Sequence, residues 1–98
     1  MQFLLLGYDS TDTEALNRRL AVRSAHLESS NKLRSEGKLL YAAAILSESS
    51  KMIGSMMIFD FENQSALEEW LKTEPYVTGK VWEKTEIKPC QVAPSFLI

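Results

Sequence analysis

Phe3-Leu4-Leu5-Leu6-Gly7-Tyr8 is an uninterrupted apolar run closed by the polar stretch Asp9-Ser10-Thr11-Asp12. A run this short and this uniform reads as a strand buried on both faces, followed by the signal for a helix start. A strand of that kind must sit inside a sheet that is covered on both sides. The rest of the chain must supply those covers.

Helical sequence follows from Thr11, which with Glu14 has capping-box spacing, and runs to Gly37, a natural C-terminal cap. A break is expected near Arg23-Ser24, because Leu16 and Leu20 do not share a stripe with Leu33. Leu39 to Leu46 and Met52 to Phe61 are strand candidates separated by Ser47-Glu48-Ser49-Ser50-Lys51, so they pair most simply as an antiparallel hairpin. Asn63 or Ser65 caps a second helix carrying Ala66, Leu67, Trp70 and Leu71, which ends before Pro75. Val81 to Ile87 alternates and reads as the last main strand.

The order β-α-β-β-α-β predicts an α+β, ferredoxin-like antiparallel sheet with both helices on one face, in one domain over residues 1–98. Two helices cover one side only. The apolar residues on the other face, with the tail Pro94-Ser95-Phe96-Leu97-Ile98, predict a homodimer.

Composition removes several function classes. At 98 residues and 45% hydrophobic, the chain can bury a core without staples, and its single cysteine, Cys90, forms no internal disulfide. No Cys/His cluster has metal-ligand spacing, so no metal is expected. No run approaches the ~18–20 apolar residues that span a bilayer, and Phe3–Leu6 is too short and lacks the basic flank of a secretory signal. The net charge of −2, with acids and bases interspersed, offers no stripe for nucleic acid and no polybasic membrane patch. The expected location is the cytoplasm. No glycine-rich nucleotide loop or nucleophile elbow occurs, so no cofactor is expected.

His26 is the only histidine. On a helix it shares an arc of roughly 120° with Arg23, Leu27, Ser30 and Leu33, and should point inward. A buried histidine needs partners; a carboxylate on one ring nitrogen fixes the tautomer and frees the other for a substrate. Asp9, at the end of the first strand, is the candidate carboxylate. The plainer readings are a satisfied core histidine and an aspartate that caps a turn. Arg23, one turn before His26, can hold an anion in a two-pronged grip, whereas Arg18 and Arg19 read as surface or interface residues. Ser55 can supply a hydroxyl or backbone donor, and Tyr76 can cover a pocket and offer its hydroxyl.

The strand end Tyr8-Asp9, the block Arg18 to Leu27, Glu36-Gly37-Lys38-Leu39-Leu40, Gly54-Ser55 and Glu74-Pro75-Tyr76-Val77 followed by Ile87-Lys88-Pro89 together resemble the YciI-like (YCII-related) family. The resemblance covers almost the whole chain and implies a protomer of the dimeric α/β-barrel type. It implies an active site centred on a His/Asp pair, the histidine at His26 and the aspartate at Asp9. Some relatives act as lyase-like or dehydrochlorinating enzymes on small ring compounds. The chain departs from the family pattern at Ala42-Ala43-Ala44, where many relatives carry Ala-Gly-Pro, and in a shorter hairpin. Two functions are therefore expected as alternatives. One is a cofactor-independent lyase- or isomerase-like enzyme acting on a small anionic or cyclic compound. The other is a non-catalytic small-molecule binding or interaction module.

Overall fold

A computed structural model describes residues 1–97. The elements run β1 (Gln2–Asp9), α1 (Ala15–Ser35), β2 (Leu39–Leu46), β3 (Met52–Asp60), α2 (Gln64–Leu71), α3 (Pro75–Thr78) and β4 (Trp82–Cys90), with a 3₁₀ turn at Pro94–Phe96. The strands form one antiparallel sheet in the order β2-β3-β1-β4, the ferredoxin-like arrangement expected from the sequence. β1, the fully apolar run, is central. Ile98, the last residue of the apolar tail, lies outside the described residues.

Two local expectations about α1 need correction. The helix begins at Ala15 with Glu14 as N-cap and no side-chain cap; Asp12 Oδ2, not Thr11, accepts from the Glu14 amide at 3.2 Å. It also runs unbroken. Its inward stripe is Ala15, Arg19, His26, Ser30 and Leu33, with Val22 packed alongside, while Leu20 and Leu27 are exposed. Polar side chains thus occupy three positions that an apolar-periodicity argument assigns to hydrophobes. The end of α1 is as expected: Gly37 takes φ +75°, and the Lys38 amide donates to Leu33 O at 2.9 Å, closing the helix with a Schellman-type bond. Asn63 caps α2 by accepting from the Ala66 amide at 2.8 Å.

The core lies between sheet and helices. Alternation along β1 turns Phe3, Leu5, Gly7 and Asp9 toward the helices, and along β3 it turns Ser55, Met57 and Phe59 the same way. Leu33, Leu39, Leu67 and Leu71 complete the apolar part. The opposite face is not covered by helices: Leu4 and Leu6 of β1 lie beside Met56 and Ile58 of β3, flanked by Tyr41 and Ile45 of β2. The tail crosses one end of that face, where the Val92 amide donates to Gln2 Oε1 at 2.6 Å and Tyr41 Oη donates to Phe96 O. No helix among the described residues is long and apolar enough to cross a membrane.

Candidate active site

Asp9 ends β1 on the helix side, next to a register irregularity at Tyr8/Asp9 that brings it opposite Trp82. A glycine precedes it in the same inward column. A Cβ on Gly7 would lie 2.4 Å from the Trp82 indole, so the missing side chain lets that ring lie across β1. Above them passes α1. Arg19 Nη1 donates to both Asp9 carboxylate oxygens at 2.9 and 3.0 Å, and its Nη2 donates to Ser55 Oγ at 2.9 Å. Trp82 Nε1 donates to the same Ser55 oxygen at 3.3 Å. Arg19 is only 2% exposed, which corrects the expectation of a surface or interface residue.

His26 stands two turns farther along α1, about 10 Å along the helix axis. Its carboxylate partner is Glu74: Nδ1 is paired with Glu74 Oε1, and Glu74 is fully enclosed. The expected Asp9–His26 pair is therefore not formed; Asp9 is paired with Arg19 at its own level of the helix, and the two-turn offset separates it from His26. Glu74 reaches His26 because Pro75 follows it. Proline ends the preceding helical turn and opens α3 at its first position, leaving Glu74 extended, and Oε1 also accepts from the Tyr76 amide at 3.3 Å as the α3 cap. Tyr76 then stacks on His26, ring centroids 3.8 Å apart and planes within 10°, while the Arg19 guanidinium carbon lies 4.6 Å from the Tyr76 ring centroid. Glu74-Pro75-Tyr76 is thus one wall of the site.

With a carboxylate oxygen against Nδ1, the neutral imidazole carries its proton there and presents Nε2 as an acceptor. Nε2 has no hydrogen-bond partner among the described residues. His26 borders a cavity of about 140 Å³ together with Arg19, Arg23, Ser55 and Tyr76, walled by Ala42–Ala44 of β2. Asp9 instead borders a separate cleft of about 770 Å³ beyond the end of β1. Burial pushes the Tyr76 phenol above its ordinary value against the opposing pull of Arg19 and Arg23, so it remains a protonated donor at neutral pH. Burial also raises the Asp9 carboxyl, with Arg19 opposing.

Residues 1–91 match the YCII-related domain. The chain belongs to that family. It is 34% identical over 95 residues to Protein YciI of Escherichia coli O6:H1, covering 91% of this chain and 95% of that protein. An uncharacterized protein of Haemophilus influenzae is 35% identical over the same length and coverage. Among solved structures, the chain is similar to 5-chloro-2-hydroxyhydroquinone dehydrochlorinase (TftG) of Burkholderia phenoliruptrix AC1100, in complex with 2,5-dihydroxybenzoquinone. That likeness has a TM-score of 0.83 at 19% identity and covers 97% of this chain and 98% of the other; it establishes the shared fold.

In this YCII-related chain, four of the five residues anticipated from sequence, Arg23, His26, Ser55 and Tyr76, border one cavity. Asp9 does not. Sequence reasoning missed Glu74, Arg19 and Trp82. A signal for Glu74 was present: a buried histidine demands a carboxylate, and an acid directly before a proline that opens a helix is placed to cap it and turn inward.

Proposed function

We propose that this YCII-related chain is a cofactor-independent enzyme in which His26, held by Glu74, moves a proton during an elimination, isomerisation or related step on a small anionic or cyclic organic compound. The observation that carries the reading is the pairing of Nδ1 with a fully enclosed carboxylate while Nε2, at a cavity, is left without a partner among the described residues. This is the arrangement by which a carboxylate orients a general base and stabilises the imidazolium formed when it takes a proton. Arg23 grips the anionic group. Tyr76 donates its phenolic proton. The Ser55 oxygen already accepts from Arg19 and Trp82, which leaves its own proton to donate to the ligand. Asp9 acts as a brace, neutralising Arg19 so that Arg23 is the cation available to substrate.

The similarity to a dehydrochlorinase bound to a dihydroxybenzoquinone supports hydroxylated rings as the first compounds to try. Removal of a proton and a chloride ion from such a ring is chemistry for which a positioned base suffices. The cytoplasm suits a chain whose single cysteine stays a thiol. A second copy of the chain covers the open sheet face, because Leu4, Leu6, Met56 and Ile58 form an apolar patch the helices do not reach. Sedimentation at micromolar concentration gives a dimer, and Leu6→Lys shifts it to monomer; a monomeric parent protein overturns the dimer.

The test of the chemistry is a thermal-shift screen of chlorinated and hydroxylated aromatic acids, followed by turnover assays on the compounds that bind. His26→Ala and Glu74→Gln each lower turnover by about 10²–10⁴-fold, the usual contribution of a positioned acid or base. Undiminished turnover in His26→Ala removes His26 from the mechanism. Ligand binding without turnover in the parent protein assigns the chain to the non-catalytic module instead.

A further inference from the structure

Two of the four arginines are engaged in ion pairs: Arg18 with Asp12 and Arg19 with Asp9. Arg23 and Arg34 make none among the described residues. Shortage of carboxylates is not the reason, since the chain has 13 acidic against 11 basic residues. The two unpaired arginines also share a position in the fold. Arg23 borders the 140 Å³ cavity on one side of His26, and Arg34 borders a second cavity, of about 330 Å³, on the other. His26, Leu27 and Ala42 border both, so the two cavities are neighbours that share His26 as a wall.

The second cavity holds a group that calls for a ligand. Ser30, one turn after His26, is 7% exposed, and its Oγ has no hydrogen-bond partner among the described residues. A buried hydroxyl left unpaired costs free energy that a bound acceptor or water recovers. Asn31 and Arg34 border the same cavity, so residues that carry a hydroxyl, a side-chain amide and a guanidinium all line it. That donor set suits a carboxylate or another oxyanion. Side chains of a helix lean toward its N-terminus, so Arg34 inclines back toward His26 rather than away from it.

We infer that the site takes a two-ended dianion, a small dicarboxylate or a carboxylate–phenolate, with one acidic end on Arg23, the other on Ser30, Asn31 and Arg34, and the middle of the molecule at His26 Nε2. This rests on the reading of His26 as the reacting base and narrows the substrate class. A monoanion fills half of the site. The second negative charge is therefore a specificity element, and Arg34 is the residue that reads it.

The experiment measures binding to the parent protein by calorimetry for three matched pairs: succinate and butyrate, adipate and hexanoate, terephthalate and benzoate. At least one dianion binds tenfold or more tightly than its monoanion. Arg34→Gln removes that advantage and leaves the monoanion unchanged, Ser30→Ala weakens the dianion in the same direction, and Arg18→Gln, at a paired arginine away from the cavities, changes neither. If no dianion outbinds its partner, or if Arg34→Gln leaves the advantage intact, the inference is overturned. Monoanion binding that depends on Arg23 without any dianion advantage overturns this inference alone. A dianion held through Arg34, with none of the chlorinated or hydroxylated aromatic acids turned over by the parent protein, sinks the proton-transfer reading and leaves the two-ended site standing.

Discussion

Phe59 and Glu74 are equally enclosed, both at 0% exposure, yet they belong to opposite kinds of interior. Around Phe59 the contacts are rings and aliphatic chains: Phe61 at 5.7 Å, Trp70 at 5.2 Å between centroids, and a surround that includes Phe3, Leu33 and Leu67. Around Glu74 they are His26, Tyr76 and, one layer on, Arg19, Asp9 and Ser55. Among the described residues, the buried side-chain atoms without partners are Arg19 Nε, Ser30 Oγ and Glu74 Oε2, and none belongs to the aromatic end. One end of the interface is dry and fully satisfied, and it stabilises the fold by burying area. The other leaves buried polar atoms without a partner among the described residues, a desolvation cost that the proposed site tolerates because its groups must be ready for a ligand.

From that contrast, the largest stability loss comes from the dry end. Phe59→Ala removes a fully buried ring and costs about 3–5 kcal/mol, measured by urea denaturation, whereas ligand binding in the fraction that remains folded is unchanged. Next is the buried ion pair. Arg19→Met strands the Asp9 carboxylate and costs a comparable or slightly smaller amount, on the order of 3 kcal/mol, but the double change Asp9→Leu with Arg19→Met recovers most of it, because a well-packed apolar pair replaces a desolvated ionic one. Failure of the double variant to recover would make the polar end a source of stability and erase the contrast.

The smallest effect is at the surface. Arg18 holds the Asp12 carboxyl down at about 2 from an ordinary 3.8. A carboxyl whose value is depressed in the folded state contributes stability above its unfolded value and loses it as pH falls through the folded one. The difference in melting temperature between the parent protein and Asp12→Asn is therefore present at neutral pH, shrinks below about pH 4, and is lost as pH falls through about 2. Being exposed, the pair is also weakened by salt.

The same contrast separates what could be read in the sequence from what could not. At the dry end, pattern and structure agree: β1 as a central apolar strand, the hairpin of β2 and β3, Asn63 as the α2 cap and Gly37 as the α1 terminator were all legible from residue type and spacing. At the polar end, periodicity misled. Arg19, His26 and Ser30 take inward positions on α1, so the apolar stripe vanished and a break was expected in a helix that has none. His26 and Tyr76 were singled out because their chemistry is distinctive, and the fold sets them against each other at one cavity. The carboxylate beside His26 was demanded by the same argument but assigned to Asp9, since nothing in a linear sequence gives the two-turn offset along α1 that hands Asp9 to Arg19 and leaves His26 to Glu74.

Each end of the interface also has its own tryptophan. Trp70 packs on Phe59 and Phe61, and Trp82 stands edge-on to Tyr76 and His26, the latter 6.3 Å away between ring centroids. The chain has no others. Replacing Trp70 by Phe leaves an emission spectrum that reports only on the neighbourhood of the imidazole; replacing Trp82 by Phe leaves one that reports only on the hydrophobic packing. The molecule thus contains two optical channels, and a compound that reaches the cavity changes the light from one while the other, in the same cuvette series, records whether the fold has moved at all.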